Sequence, residues 1–284
     1  MIRILVDSSS DYSLEEIRAK KIDFVPLHVN FGDTNYADVI DLERNRFYEL
    51  LTGSADFPTT SQPAPQAFLD VFLDAKEKGD EVICILLSSA LSGTCQSAVI
   101  ARSMANYDKI HIFDSLSATH MIRIMAESAL ALRDQGADAV SIIRHLQDLA
   151  PRVKVCAALD TLLYLSKGGR LSKTTAVIGE AANIKPLIAL TPDGNVSVIG
   201  KTLGKNKAIS FILKHLETVS LDPAYPLCSA YTYGTENCEK LEEKLASAGY
   251  SISERCQVGS TIGTHVGPGV FGVFYVEKID YLCF

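Results

Sequence analysis

Short apolar segments of strand length alternate with segments of helical periodicity through the first half of this chain. The apolar segments occupy residues 2–6, 24–30, 82–87, 109–113 and 153–159. Such alternation is typical of strands joined by crossover helices, which pair in parallel and are covered on both faces. We therefore predict an α/β fold whose N-terminal half is a doubly wound, mainly parallel sheet.

The pattern changes after about residue 155. A turn signal at residues 192–195 separates the apolar runs 187–191 and 196–202, which predicts a hairpin and hence antiparallel structure. Helical segments at 206–219 and 236–248 separate further predicted strands at 227–231, 251–257 and 270–276. The sequence thus predicts an N-terminal α/β domain, residues 1–155, and a C-terminal mixed α/β domain, residues 156–284.

A stretch without clear periodicity, residues 33–65, interrupts the first predicted domain. It contains Pro58, Pro63 and Pro65, and one short helix is expected around residues 42–51. We predict a long excursion over the surface, a kind of segment that often carries functional residues.

Composition narrows the classes of function. Hydrophobic residues make up 47% of the chain, which suits sheets covered on both faces or an internal pocket. The formal net charge of -7 argues against a nucleic-acid partner, because phosphate binding needs a basic surface. No segment approaches the roughly 20 apolar residues of a membrane span, so no stable membrane insertion is expected.

The cysteine pattern and the N-terminal residues bear on the cellular compartment in which the protein is expected. Seven cysteines are scattered among apolar residues without C-x-x-C spacing, which predicts reduced interior side chains. The apolar stretch of residues 1–6 is too short for a signal sequence. We expect a cytoplasmic protein that uses no cofactor and no metal.

One segment, residues 88–98 (S-S-A-L-S-G-T-C-Q-S-A), directly follows the buried run 82–87. Ser92, Gly93 and Thr94 supply a helix cap, and Gly93 would allow a ligand to approach the backbone. The start of the following helix favours an anion, so a carboxylate or phosphate could bind there. An ordinary capped turn would have the same sequence.

Other polar residues follow predicted strands, at the edge where open parallel sheets bind ligands. They are Asp7, Ser8, Ser9, Asp114 and Ser115, with Thr232, Tyr233 and Gly234 in the second half. Hydroxyls predominate, which suits hydrogen bonding to an oxyanion better than acid–base catalysis. We expect Asp7 and Asp114 to cap helices rather than to bind a metal.

A histidine and a group of cations are further candidates. Among six histidines only His265 is framed by glycines, at 263, 267 and 269, which predicts a loop approached by a ligand or a loop that needs glycine for its own backbone. Lys167 and Arg170 surround a double glycine, and with Lys201 they form either a basic rim or a solvated face. The Arg170 guanidinium is best suited to an oxyanion.

Several motifs occur along the chain: Asp7-Ser8-Ser9, Thr60-Ser61-Gln62-Pro63, Leu91-Ser92-Gly93-Thr94, Asp114-Ser115, Lys167-Gly168-Gly169-Arg170, and Gly263 with His265 and Gly267-Pro268-Gly269. Together they resemble the DegV family of fatty-acid-binding proteins. The resemblance implies a long-chain fatty acid buried at the junction of two α/β domains. It also implies that the chain acts as the acyl-binding subunit of a bacterial two-component fatty acid kinase. In such a kinase, a separate ATP-binding subunit makes acyl phosphate for phospholipid synthesis.

The resemblance also implies site residues. The carboxylate would be bound by Thr60, Ser61, Ser92, Gly93 and Thr94 with His265 beside it, and Arg170, Lys167 and Lys201 would form the rim facing the kinase subunit. The chain departs from the K-x-R pattern of kinase-linked relatives, because Leu203 stands in place of the arginine. Two alternatives stay open: a stand-alone protein that binds or senses a lipid or another apolar acid, and a phosphotransferase that uses His265.

Overall fold

A computed structural model describes residues 1–54, 56–171 and 183–278. Along the chain the elements are β1 (Ile2–Asp7), α1 (Leu14–Lys20), β2 (Asp23–Val25), β3 (His28–Phe31), β4 (Thr34–Ala37), α2 (Arg44–Gly53), β5 (Thr59–Ser61), α3 (Pro65–Lys78), β6 (Glu81–Leu86), α4 (Thr94–Ala105), β7 (Ile110–Asp114), α5 (His120–Asp134), α6 (Ala139–Leu149), β8 (Val153–Ala158), α7 (Leu163–Lys167), β9 (Ile184–Leu190), β10 (Val196–Leu203), α8 (Lys205–Glu217), β11 (Cys228–Tyr231), α9 (Glu236–Ser247), β12 (Glu254–Gln257), α10 (Ser260–Val266) and β13 (Phe271–Val276).

The first sheet has the order β2-β1-β6-β7, and all its strand pairs are parallel. Successive residues of its central strands alternate between two cores. Ile4 and Ile83 pack with α1, α5 and α6 on one face, whereas Leu5 and Cys84 pack with α3 and α4 on the other. The predicted doubly wound sheet is confirmed, and its continuous apolar runs are explained by burial on both faces.

The second sheet is mixed and has the order β10-β9-β8-β13-β11-β12. β9 and β10 form the predicted hairpin, and β11 pairs in parallel with β12. Helices α8 and α9 pack on one face of this sheet, while its other face is turned towards the first half of the chain. β8 spans the predicted domain boundary at residue 155, since it begins at Val153.

Two expectations for the segment before α3 are wrong. The run 24–30 is not one strand: it is divided at Pro26 into β2, in the parallel sheet, and β3, in a separate sheet of order β4-β3-β5. Residues 33–65 are not a surface excursion with a single helix, because they also contribute β4 and β5 and bury Phe47 and Tyr48 completely. The Tyr48 hydroxyl donates to the Val258 carbonyl at 2.8 Å, so this small unit contacts the second half of the chain.

The cysteine prediction agrees with the structure where it can be compared. The six cysteines within the described ranges are buried and form no disulfide, whereas Cys283 lies outside them. Across those same ranges, no helix has both the length and the apolar character that crossing a bilayer requires.

Candidate functional site: an apolar cavity with one polar end

A cavity of about 290 Å³ lies between the two sheets. The inward face of the second sheet supplies one wall through Ala157 and Ile188, and Met121 of α5 and Val266 of α10 supply others. The segment after β6, at the carboxyl edge of the parallel sheet, reaches the cavity at residues 87 and 91–93. The cavity therefore lies where ligands bind in open parallel sheets, covered by the second sheet.

Polar side chains gather at one end of this cavity. They come from the end of β5, the start of α4, the turn after α7 and the last turns of α10, and they are Thr60, Ser61, Gln62, Ser92, Arg170 and His265, with the Gly93 backbone. Ser61 and Gln62 are exposed, so this end reaches the protein surface. Hydroxyl, amide, imidazole and guanidinium groups together offer hydrogen bonds and a positive charge to an anion.

His265 lies in α10 and not in the glycine-rich loop that the sequence predicted. Its Nε2 is 2.7 Å from Thr60 Oγ1, and a Cβ on Gly168 would overlap its ring at Nδ1. Only 8% of the residue is exposed, and this burial, with the nearby charge of Arg170, lowers the pKa of His265 to about 4. The imidazole is therefore neutral at neutral pH.

This depressed pKa predicts a pH-dependent loss of stability. The folded pKa lies below the ordinary value of 6.5, so the contribution of His265 is fully present above pH 6.5 and is lost as the pH falls towards about 4. We expect His265→Gln to remove a dependence of about 3 kcal/mol over that window. Chemical denaturation of both proteins at each pH would measure the difference in unfolding free energy.

Comparing wild type with His265→Gln also cancels the contributions of other titrating groups to the pH dependence of stability. Burial raises the pKa of Asp7 and of Asp11 to about 6, and these carboxyls act in the opposite direction as the pH falls. A difference between wild type and His265→Gln that stays constant across the window would contradict the prediction.

The start of α4 is built differently from the predicted serine cap. Gly93 is the N-cap residue, and Ser92 Oγ accepts from the Thr94 backbone at 3.3 Å and lies 2.8 Å from Thr94 Oγ1. A Cβ on Gly93 would overlap the Gln62 amide, so only glycine allows this close approach. Thr94 is completely buried and does not line the cavity.

The three predicted rim cations occupy different positions. Arg170 lines the cavity itself, and its Nε donates to the Leu91 carbonyl at 3.1 Å. Lys167 is exposed, with its ammonium 3.9 Å from the centre of the Phe57 ring. Lys201 is exposed on β10, and neither lysine lines the cavity.

Asp7 caps the short 3-10 helix Ser8–Ser10, as expected, whereas Asp114 holds turns and caps none of the described helices. Asp7 accepts from the backbone of Ser9 at 2.9 Å and of Leu87 at 2.7 Å. Asp114 accepts from the backbone of Ser89 and of Leu116, both at 3.1 Å. Their carboxylates fix the loops that shape the cavity.

Two lining residues were missed by the sequence analysis. Gln62 was part of a recognised motif without a role, and its Nε2 donates to Ser97 Oγ at 2.9 Å beside Gly93. Thr119 also lines the cavity, and its buried Oγ1 has no hydrogen-bond partner within the described ranges. The local sequence around Thr119 contains no signal that this residue lines a cavity or that its hydroxyl lacks a partner within the described ranges.

The fold and this cavity define a class: an α/β protein with an apolar cavity that ends in anion-compatible polar groups. A family model described as "Uncharacterised protein, DegV family" matches residues 1–278. The chain belongs to the DegV family.

Individual relatives are similar to this chain over nearly its whole length. A DegV domain-containing protein of Caldanaerobacter subterraneus subsp. tengcongensis is 36% identical over 280 residues, which cover 98% of this chain and 99% of the relative. A DegV family protein from Thermus thermophilus, described by its fatty acid binding, superposes with a TM-score of 0.85 at 27% identity, covering 98% and 99% of the two chains. DegV of Bacillus subtilis, described as a fatty acid binding protein, gives 0.82 at 30% identity with the same coverage.

Proposed function

We propose that this chain binds a long-chain fatty acid, with the tail in the apolar cavity and the carboxylate at its polar end. The observation that carries the proposal is the cavity itself, which is apolar along most of its walls and has most of its polar side chains at one end. The relatives from T. thermophilus and B. subtilis, both described as binding fatty acids, support the same ligand class.

The tail and the carboxylate of a fatty acid contribute differently to the binding free energy. Each buried methylene contributes about 0.8 kcal/mol, so a tail of about fourteen methylenes offers roughly 11 kcal/mol before the costs of association. A carboxylate buried without partners would cancel several kcal/mol of this gain. In this proposal Thr60, Ser61 and Ser92 donate hydrogen bonds to the carboxylate, and the Arg170 charge compensates it.

Lipid extraction tests the binding proposal directly. Protein purified from a heterologous host, extracted and examined by mass spectrometry, is expected to carry fatty acid, and delipidated protein is expected to take up palmitate or oleate. A protein that yields no fatty acid and takes up neither would contradict the proposal.

We further propose that the bound carboxylate is presented to a separate ATP-dependent kinase subunit in the bacterial cytoplasm, and that the acyl phosphate feeds phospholipid synthesis. The exposed Ser61 and Gln62 support this step, because they bring the polar end of the cavity to the surface, where a second protein can reach it. Incubation with fatty acid, ATP and a cognate ATP-binding subunit is expected to yield acyl phosphate, trapped as the hydroxamate.

The same experiment separates the alternatives. Binding of fatty acid without acyl phosphate would favour a stand-alone lipid-binding protein, to which Leu203, exposed on β10, also points. Phosphate on His265 after incubation with ATP alone would favour a phosphotransferase. The buried imidazole, with Nε2 next to Thr60 and Nδ1 against Gly168, gives that alternative little support.

Tail length is expected to depend on Met121. A second cavity of about 240 Å³ shares Met121, Val155 and Leu190 with the first as lining residues, so these side chains stand between the two. Met121→Ala is expected to join the cavities and to shift the extracted fatty acids towards longer chains by about two carbons, since each methylene newly buried adds about 0.8 kcal/mol.

Met125→Ala is the matched control for that change. Met125 lies on the same helix and is fully buried, but it lines neither cavity. Both variants are expected to lose about 2–5 kcal/mol of stability, while Met121→Ala alone changes the profile measured by mass spectrometry. Identical profiles for the two variants would contradict the assignment of Met121.

A further inference from the structure

A second group of chemically active side chains lies apart from the polar end of the cavity. It consists of His120, Cys228, Glu254 and Cys256, whose donor atoms all lie within 4.8 Å of one another. We call this group the His-Cys-Glu cluster. None of its members is among the residues that line the fatty-acid cavity, so the proposed function leaves the cluster unexplained.

Strand register brings three of the four donors to one face of the second sheet. Cys228 of β11 is the direct partner of Glu254 in the parallel ladder with β12. Cys256 follows Glu254 by two residues on the same strand, so its side chain points to the same side. Two thiols and a carboxylate are therefore fixed at the edge of the sheet by backbone pairing alone.

The fourth donor comes from the other half of the chain. His120 is the first residue of α5, and its ring stacks on Phe274 with 5.6 Å between ring centres. Phe274 is in turn the ladder partner of Cys228. This stacking positions the imidazole over the cysteines, with Nε2 3.8 Å from Glu254 Oε2.

Glu254 gives the cluster a negative charge and access to solvent. Arg123 lies 3.6 Å from the other Glu254 oxygen, where it orients the carboxylate and balances part of the negative charge. Glu254 is about half exposed, at 47% of its side chain, so an ion can reach the buried thiols from solvent.

We propose that the His-Cys-Glu cluster is a zinc site. Two thiolates, one imidazole and one carboxylate form a four-ligand set of the kind that Zn²⁺ accepts in tetrahedral geometry, at about 2.0–2.3 Å from each donor. These bond lengths place the ligand atoms about 3.3–3.8 Å apart. The observed donor atoms, within 4.8 Å of one another, are farther apart by up to about 1.5 Å, a contraction within the reach of side-chain rotation. Binding releases the two thiol protons to solvent.

The position of the site gives the ion a structural role. It joins the start of α5, in the first half of the chain, to β11 and β12 at the edge of the second sheet. Met121, next to His120, and Phe274, stacked on its ring, both line the fatty-acid cavity. A bound zinc ion thereby fixes the separation of two cavity walls without touching the fatty acid.

Metal analysis of the full chain tests the proposal. Protein purified with reductant and without chelator, from cells supplied with zinc, is expected to contain about one zinc per chain. After removal of zinc, added Co²⁺ is expected to give the intense visible bands of a tetrahedral ion and a thiolate-to-cobalt charge-transfer band. Chelation is expected to lower the melting temperature of wild-type protein.

Variants locate the ion. Cys256→Ser is expected to weaken Co²⁺ binding at least about 100-fold and to reduce the charge-transfer band per bound ion, because Cys228 is then the one thiolate left in the cluster. Cys238→Ser is the control, because Cys238 is a buried thiol of the same half of the chain, on α9, outside the cluster. Both variants are measured for metal content and melting temperature.

Three results would overturn the proposal. They are wild-type protein without zinc and without a Co²⁺ charge-transfer band, a Cys256→Ser variant that binds Co²⁺ as wild type does, and a Cys228–Cys256 disulfide that persists under reducing conditions. The first result is read on wild-type protein, so it is decisive even where Cys256→Ser does not fold.

Discussion

Ala157→Phe is expected to weaken the binding of long-chain fatty acids about 200-fold while the protein stays folded. Ala157 lies on the inner face of β8, between its ladder partners Gly272 and Ile188, and its side chain borders the cavity. An aromatic ring there occupies the space of the tail. If about four methylenes lose their place, about 3 kcal/mol of binding free energy is lost, which corresponds to about 200-fold in affinity.

The control for this variant adds the same ring outside the cavity. Val198→Phe changes a half-buried residue of β10, whose ladder partner is Ile188 and which does not line the cavity. It is expected to retain fatty acid, and Ala157→Val is expected to retain shorter chains than wild type. Titration with palmitate, accompanied by melting curves, measures all three variants, and wild-type affinity in Ala157→Phe would show that the tail lies elsewhere.

The double variant Ser61→Ala/Ser92→Ala is expected to weaken fatty-acid binding about 100-fold. Both serines line the polar end of the cavity, and a hydrogen bond to a charged group contributes about 1.5–3 kcal/mol. Losing two such bonds costs about 3 kcal/mol at the low end of that range. Titration with palmitate measures the loss, and circular dichroism checks that the fold is retained.

A ligand control and a protein control make this result specific. Wild type is expected to prefer palmitate over the fatty alcohol of equal length, and the double variant is expected to show a smaller preference, because two of the carboxylate's hydrogen-bond donors are gone. Ser89→Ala/Ser141→Ala removes two exposed serines outside the cavity and is expected to behave as wild type. Equal retention of palmitate by the Ser61/Ser92 variant would place the carboxylate elsewhere.

Sequence patterns predicted the elements whose residues are uniformly buried. The run 82–87 became β6, Glu81–Leu86, because both faces of the parallel sheet are covered and every position is apolar. The hairpin of β9 and β10 was predicted from its turn residues, whose backbone requirements are local. Strands of three or four residues, such as β4 and β5, are too short to display an alternation, so these could not be predicted.

The site was predicted less completely because its contacts are long-range. Thr60 and His265 are 205 positions apart in the sequence, and their contact depends on how β5 packs against α10. Glycines around His265 suggested a loop, yet Gly263 lies in α10, where glycine is needed because a Cβ would overlap Phe47 and Tyr48. The expectation of no metal rested on local spacing, which a cluster drawn from α5, β11 and β12 does not display.

The two ends of the cavity are built from different kinds of residue. Ser61 and Ser92 lie on a short strand and a turn, with exposed or half-buried side chains, whereas Ala157, Ile188 and Val266 belong to a hydrophobic core cluster as well as to the cavity wall. Substitutions at the polar end can therefore alter selectivity for the head group of the proposed ligand with little cost in folding free energy. Adapting the cavity to another acyl chain requires repacking the interior. Chain-length preference and thermal resistance must therefore change together when such proteins are engineered or diverge.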